Sequence, residues 1–101
     1  MEVTTGDIIW ITTGQKPGYH KADRSPFIVL SSEKAGTALV CPILPESTSP
    51  ENEVVIPKSC VVSGFARTDL SEVVDLEEVT AVSAGFAGDD AVEELAVLTG
   101  R

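Results

Sequence analysis

A chain of 101 residues has room for one small domain, spanning 1–101, and 43% hydrophobic with 23% charged residues argue against a disordered tail. No apolar run approaches the roughly 18 residues of a membrane span, no basic stretch followed by an apolar one opens the chain, and Cys41 and Cys60 have neither metal nor redox spacing. Seven Lys and Arg against sixteen Asp and Glu leave a net charge of -9, which argues against bulk capture of nucleic acid; a cytoplasmic protein with reduced thiols is the expectation.

In chain order, Gly6-Asp7 opens an apolar run, Ile8-Ile9-Trp10-Ile11, whose β-branched residues and short length predict a strand. Gly14 to Ser25 is a polar loop with a Pro17-Gly18 turn. Pro26 to Leu30 predicts a second strand with proline at its first position. A hairpin-length turn, Glu33 to Gly36, leads to a third strand, Thr37 to Cys41, ended near Pro42 and Pro45. Glu46 to Asn52 is a Ser/Thr/Pro loop. Val54 to Ile56 and Val61 to Ala66 predict two further strands, with Gly64 a candidate bulge. Val73 to Val82 alternates weakly enough for a sixth strand at most, and Gly85 to Gly88 breaks the pattern.

Asp89 to Leu98 predicts one helix. Asp89 or Asp90 caps it, Glu93 and Glu94 lie early, where the dipole favours anions, and Val92, Leu95 and Ala96 form an apolar stripe ended by Gly100. Short strands with regular turns and a terminal helix make the fold mainly β: a small, curled antiparallel sheet or barrel with a C-terminal helix.

The charge is uneven. Residues 1–67 carry six basic and seven acidic groups, whereas residues 68–101 carry nine acidic groups and Arg101 alone. The acid is thus a C-terminal property, read most simply as a solvated surface. Lys16, His20, Lys21 and Arg24 stand together around a single acid, Asp23, as a cationic loop able to hold a phosphate.

The order of short motifs resembles the MazF/PemK/Kid toxins. Gly6-Asp7-Ile8-Ile9-Trp10 resembles their opening strand. Arg24-Ser25-Pro26 and the apolar run to Ser31-Ser32 are similar to their Arg-Pro-strand-Ser segment, with one residue inserted. Val40-Cys41-Pro42-Ile43 is similar to their Val-x-Pro-Ile stretch, and Gly64 to Asp69 to the Gly-x-x-Arg-x-Asp segment of the Kid-like branch. No single motif is specific, but together they run over nearly the whole chain in order.

The resemblance implies an SH3-like, Kid-type barrel that forms a homodimer and is restrained by an antitoxin protein. It implies a toxin that cuts single-stranded RNA without a metal or other cofactor and without a membrane. The ribose 2′-OH attacks the adjacent phosphate, leaving a 2′,3′-cyclic phosphate and a 5′-OH. That chemistry needs a base for the 2′-OH proton, an acid for the leaving 5′-oxygen, and a fixed cation for the charge on the phosphoryl oxygens. By the match, Arg67 is the catalytic cation, and its planar, permanently charged fork suits the task. Asp69 shares strand parity with Arg67, so both face one side if the strand continues that far, and it is either a base or the anchor that orients Arg67. His20, the one histidine, has the pKa range for proton transfer. Arg24, Lys16 and Lys21 supply RNA-binding charge, and Tyr19 one stacking surface.

The chain departs from the pattern where it matters to catalysis. Leu44 stands where many members carry Thr or Ser, and Leu70, Ser71 and Glu72 follow Asp69 where a Gln and a base are frequent. These departures favour an alternative, a catalytically degenerate toxin-fold binding module, including a relative of the gyrase-poisoning toxins, that acts through protein partners. A third reading is an unrelated small barrel with a coincidental motif order. Read blandly, Trp10 and both cysteines are core residues, and Glu72, Asp75, Glu77 and Glu78 a solvated face.

Overall fold

The computed structural model describes residues 2–13, 23–32 and 34–100. Among them, seven strands form one curled antiparallel sheet: β1 (Asp7–Thr13), β2 (Asp23–Ser32), β3 (Thr37–Leu44), β4 (Glu53–Ile56), β5 (Gly64–Arg67), β6 (Glu72–Asp75) and β7 (Val82–Phe86). One helix, α1 (Asp89–Thr99), closes the chain. The strand order is β4-β5-β3-β2-β1-β7, with β6 also on β3. The fold is the mainly β, curled sheet with a C-terminal helix that the sequence predicts.

The three central strands read as continuous apolar runs because both faces of the sheet are covered. On one face Ile8, Ile28 and Cys41 lie side by side across the register and pack under Ala91 and Leu95 of α1 with Val54 and Ile56 of β4. On the other, Ile9, Ile11, Phe27, Val29 and Val40 are covered by Val3 and Leu76. Each isoleucine removed wholly from water contributes about 1.5–3 kcal/mol before chain entropy is counted. Trp10 is half-buried against the helix-side core, as its place in the most apolar run suggests. Burial pushes the Cys41 thiol up to about 12, with the Asp69 charge adding to it, so this cysteine is a core residue and not a nucleophile.

Several boundaries differ from the sequence reading. The second strand starts at Asp23, so Pro26 lies inside it, opposite Trp10. It is tolerated there because β2 pairs with β3 only from Phe27 onward, and no ladder bond on that side needs a proline N–H. The fifth strand starts at Gly64, not Val61; Val61 is exposed and Val62 buried, outside any strand. Gly64 marks a close approach and not a bulge; the register shifts fall at Ile8/Ile9 and between Val29 and Ser31.

The weak 73–82 pattern is two strands. Asp75 accepts the Glu77 and Glu78 backbone N–H groups at 3.0 and 3.1 Å, turning the chain, and β7 then runs through Gly85 to pair with β1. The Glu72, Asp75, Glu77 and Glu78 series is exposed, as read. Gly88, not an aspartate, is the N-cap of α1, and no side chain caps it. Gly100 ends the helix in the left-handed region, its N–H bonded to the Ala96 carbonyl.

Candidate functional site

Strand β3 changes partner midway. Its first half, Thr37 to Val40, pairs with β6, and its end, Ile43 and Leu44, pairs with β5. Pro42, which has no N–H to offer, lies in the gap between the two ladders. The chain crosses that gap as a single turn of 3-10 helix, Thr68–Leu70, joining β5 to β6. This turn, and not a continued strand, carries Asp69 back beneath Arg67. The two residues meet, but not by strand parity, whose condition is not met because β5 stops at Arg67.

The contact is a two-pronged fork. Arg67 Nε donates to Asp69 Oδ1 at 2.8 Å and Nη2 to Oδ2 at 2.7 Å. A third donor, Nη1, reaches Thr48 Oγ1 at 2.7 Å. Thr48 is held in turn by Glu53, which faces Arg67 across the β4–β5 ladder. The Glu53 carboxylate accepts the Thr48 and Ser49 backbone N–H groups at 2.8 and 3.0 Å and the Ser47 hydroxyl at 2.5 Å. Thr68 Oγ1 donates to the Asn52 carbonyl at 2.9 Å, tying the turn to the same loop. A guanidinium has five N–H bonds. Three are committed here, which leaves two without a partner among the described residues.

The electrostatics follow the geometry. Hydrogen bonding to Arg67 holds the Asp69 carboxyl below the usual carboxylate range, although partial desolvation opposes it. The same hydrogen bond, with the Asp69 and Glu53 charges, holds Arg67 more firmly protonated than usual. Partial desolvation raises Glu53, but its hydrogen bonds from Ser47, Ser49 and Thr48, with Arg67 alongside, outweigh this and lower it. Asp69 is therefore a weak base and a strong anchor. Because its folded pKa is depressed, the pair stabilises the fold above the unfolded value of about 3.9 and loses that contribution as pH falls through the folded value. Asp69→Asn is thus expected to melt lower than the native protein at pH 7, with the gap closing below about pH 4. Melting curves across pH check this, and a gap independent of pH would refute the anchoring role.

Arg67 has a definite setting. Ala66 points into the helix-side core, so Arg67 and Phe65 lie on the opposite face of β5. Leu44 and Val55, the register partners of Phe65, flank it, and Val55 is 60% exposed. The guanidinium, with 15% of its side chain exposed, thus stands at the edge of a small apolar floor. Arg24 is exposed on β2 opposite Thr12, and no hydrogen bond or ion pair joins it to Arg67 or Asp69. By alternation from Ile28, it lies on the face that bears the helix-side core, the other face from Arg67. His20, Lys16, Lys21 and Tyr19 lie outside the described residues.

Sequence reasoning missed Thr48 and Glu53. A signal for the turn between them was present in Ser47-Thr48-Ser49-Pro50-Glu51: hydroxyl residues before a proline and an acid mark a helix start. Pro50–Asn52 is such a start, one turn of 3-10 helix. Among the described residues no three His, Cys, Asp or Glu side chains gather as metal ligands, and no helix is long and apolar enough to cross a membrane.

The sequence profile of the family described as PemK-like, MazF-like toxin of type II toxin-antitoxin system matches residues 4–96. No curated protein matches. Among solved structures, a chain of the MazE-MazF crystal structure (Form-II) from Deinococcus radiodurans superposes with a TM-score of 0.81 at 23% identity, over 97% of this chain and 93% of that one. MazF (Form-I) from the same organism gives 0.76 at 23% identity, over 98% and 97%. An endoribonuclease in complex with its cognate antitoxin, from a mycobacterial species, gives 0.68 at 15% identity, over 98% and 96%. At these identities the likeness to solved structures is one of fold.

Proposed function

The chain belongs to the PemK-like, MazF-like toxins of type II toxin–antitoxin systems, and on that premise we propose that it is a metal-independent endoribonuclease of single-stranded RNA. The observation that carries this reading is the Arg67 fork. It is pinned on one side by Asp69 and Thr48 and keeps two N–H bonds for a ligand. A preset cation of this kind is what a phosphoryl group needs as charge gathers on it, because no reorganisation is left to do during the reaction.

In the proposed reaction the 2′-oxygen of a ribose bonds to the adjacent phosphorus as the P–O5′ bond breaks. The 2′-OH proton passes to a base, and a proton from an acid goes to the departing 5′-oxygen. The products are a 2′,3′-cyclic phosphate and a 5′-OH. Arg67 binds the non-bridging oxygens. Asp69 orients Arg67 and is not the base, since each of its carboxylate oxygens already accepts from the guanidinium and its pKa is lowered. His20 is assigned the proton transfers, and Arg24, Lys16, Lys21 and Tyr19 the binding of flanking nucleotides. Phe65 and Val55, beside Arg67, give a base an apolar surface to rest on. The protein acts as a cytoplasmic homodimer of one domain per chain, and an antitoxin covers this face.

The second reading, a toxin fold that has lost its nuclease and works by binding protein, is favoured by Leu44, an aliphatic side chain that lies opposite Phe65 and offers no hydrogen bond to a phosphate. One incubation separates the two. Long single-stranded RNA with EDTA is expected to yield fragments ending in cyclic phosphate. RNA left intact across a range of salt and sequence would sink the nuclease and leave the binding module.

A further inference from the structure

The loop before β4 and the turn after β5 carry four hydroxyl side chains, and chemistry fixes where each O–H points. Carboxylates and carbonyls only accept, so Ser47 donates to Glu53, Ser49 to Glu51 at 3.0 Å, and Thr68 to the Asn52 carbonyl. A guanidinium only donates, so Thr48 Oγ1 accepts from Arg67 Nη1. Three of the four protons are thus turned inward. The Thr48 proton is the exception: among the described residues nothing accepts it, and Thr48 is exposed.

That hydroxyl is held as firmly as the guanidinium beside it. Glu53 binds the Thr48 and Ser49 backbone N–H groups together. Asn52 closes the turn through its backbone N–H to the Ser49 carbonyl at 2.9 Å and through Nδ2 to Ser49 Oγ at 3.0 Å. Thr48 Oγ1 lies 2.7 Å from Nη1, so its O–H and the two uncommitted N–H bonds of Arg67 are neighbours. The charge around them is not positive, because Asp69, Glu53 and Glu51 all act on Arg67. A phosphate is held here by hydrogen bonds more than by net charge, so each fixed donor counts. We infer that Thr48 is a further catalytic residue, whose hydroxyl donates a hydrogen bond to a non-bridging oxygen of the phosphate that Arg67 holds. The role rests on the proposed function and adds a donor to it. It also answers Leu44: the hydroxyl absent from that position at the end of β3 is supplied four residues later, by the loop.

The test compares wild type, Thr48→Val and Thr48→Ser. Thr48 is on the surface, so valine, of nearly the same shape, is compatible with the fold. At limiting RNA, Thr48→Val is expected to cut about 10²-fold more slowly. Thr48→Ser, which restores the hydroxyl, is expected to recover most of that loss. A threonine that only props Arg67 would give the same ranking, so sulfur separates the two roles. RNA is made with sulfur in place of either non-bridging oxygen at the mapped cut site, because sulfur accepts hydrogen bonds weakly. One of the two sulfur RNAs is expected to slow wild type, and to slow Thr48→Val less, since the donor it offends is already gone. Equal slowing of both proteins, or a valine variant that cuts like wild type, overturns the inference and leaves the nuclease standing. If wild type cuts no RNA, the proposed function fails, and binding of uncleavable 2′-O-methyl RNA decides. Thr48→Val is then expected to bind about tenfold more weakly than wild type, and Thr48→Ser to regain the affinity. Equal binding by the valine variant, or a loss that comes with a displaced Arg67 side-chain nitrogen signal in the free protein, overturns the inference.

Discussion

Replacing Arg67 by alanine is expected to lower RNA cleavage about 10²–10³-fold, the loss seen when one preorganised donor to a developing anion is removed. The loss falls on kcat more than on KM, because the fork is matched to charge that grows in the transition state. Arg67→Lys is expected to recover little. An ammonium cannot hold both Asp69 oxygens and a phosphate in one plane. Asp69→Asn keeps the guanidinium but frees it to swing, so its activity is expected to fall between wild type and Arg67→Ala. Cleavage rates measured at saturating and limiting RNA check the series. An alanine variant that cuts like wild type removes Arg67 from the reaction.

The largest effect on stability is expected at a residue with no chemistry. Gly64 opens β5 with φ at +142°, and a Cβ there would sit 2.4 Å from the Leu44 carbonyl oxygen. That neighbour is backbone and cannot turn aside. Gly64→Ala therefore combines a conformation L residues avoid with a clash, together about 3 kcal/mol or more. At about 4–8 °C per kcal/mol for a chain this size, the melting temperature falls by about 12 °C or more. Gly36 is the control, since it also has positive φ, +83°, but an added Cβ meets nothing within 4 Å. Gly36→Ala is expected to cost about 1 kcal/mol. Equal losses at the two positions would mean that the close approach of β5 to Leu44 is not what Gly64 provides.

Gly64 also shows what the sequence could and could not reveal. Its place before Phe65-Ala66-Arg67 was legible as special, but a bulge and a close approach look alike until the partner strand is known. The central strands were legible because Ile8 to Ile11 and Phe27 to Leu30 are apolar without a break, the pattern of a sheet covered on both faces. The segment after Glu72 was not. Val73 and Val82 are exposed on strands at the margins of the sheet, so burial imposes no alternation on them. The helix was legible from its stripe, but its start was not. Asp89 and Asp90 have capping side chains, yet the chain enters from buried Ala87 through Gly88, which leaves them in the first turn.

At the site, the Arg67–Asp69 pairing was legible from spacing, though a 3-10 turn and not a strand delivers it. The turn at Pro50 was legible, but not what flanks it: Glu53 faces Arg67 across a ladder whose register no local pattern encodes, and Thr48 reaches Arg67 from the loop before that ladder. Arg24 was grouped with Arg67 by motif order, and the pleat separates them.

That separation permits the most direct test of the central claim, that Arg67 is the group that meets the scissile phosphate. The protein, labelled at its arginine side-chain nitrogens, is titrated with a 2′-O-methyl RNA, which binds as RNA but lacks the attacking hydroxyl. Arg67 is expected to shift with saturation, and the Asp69→Asn variant to show the shift at higher RNA concentration. A shift confined to Arg24, with the Arg67 signal unmoved, would place the RNA on the other face of the sheet and contradict the account.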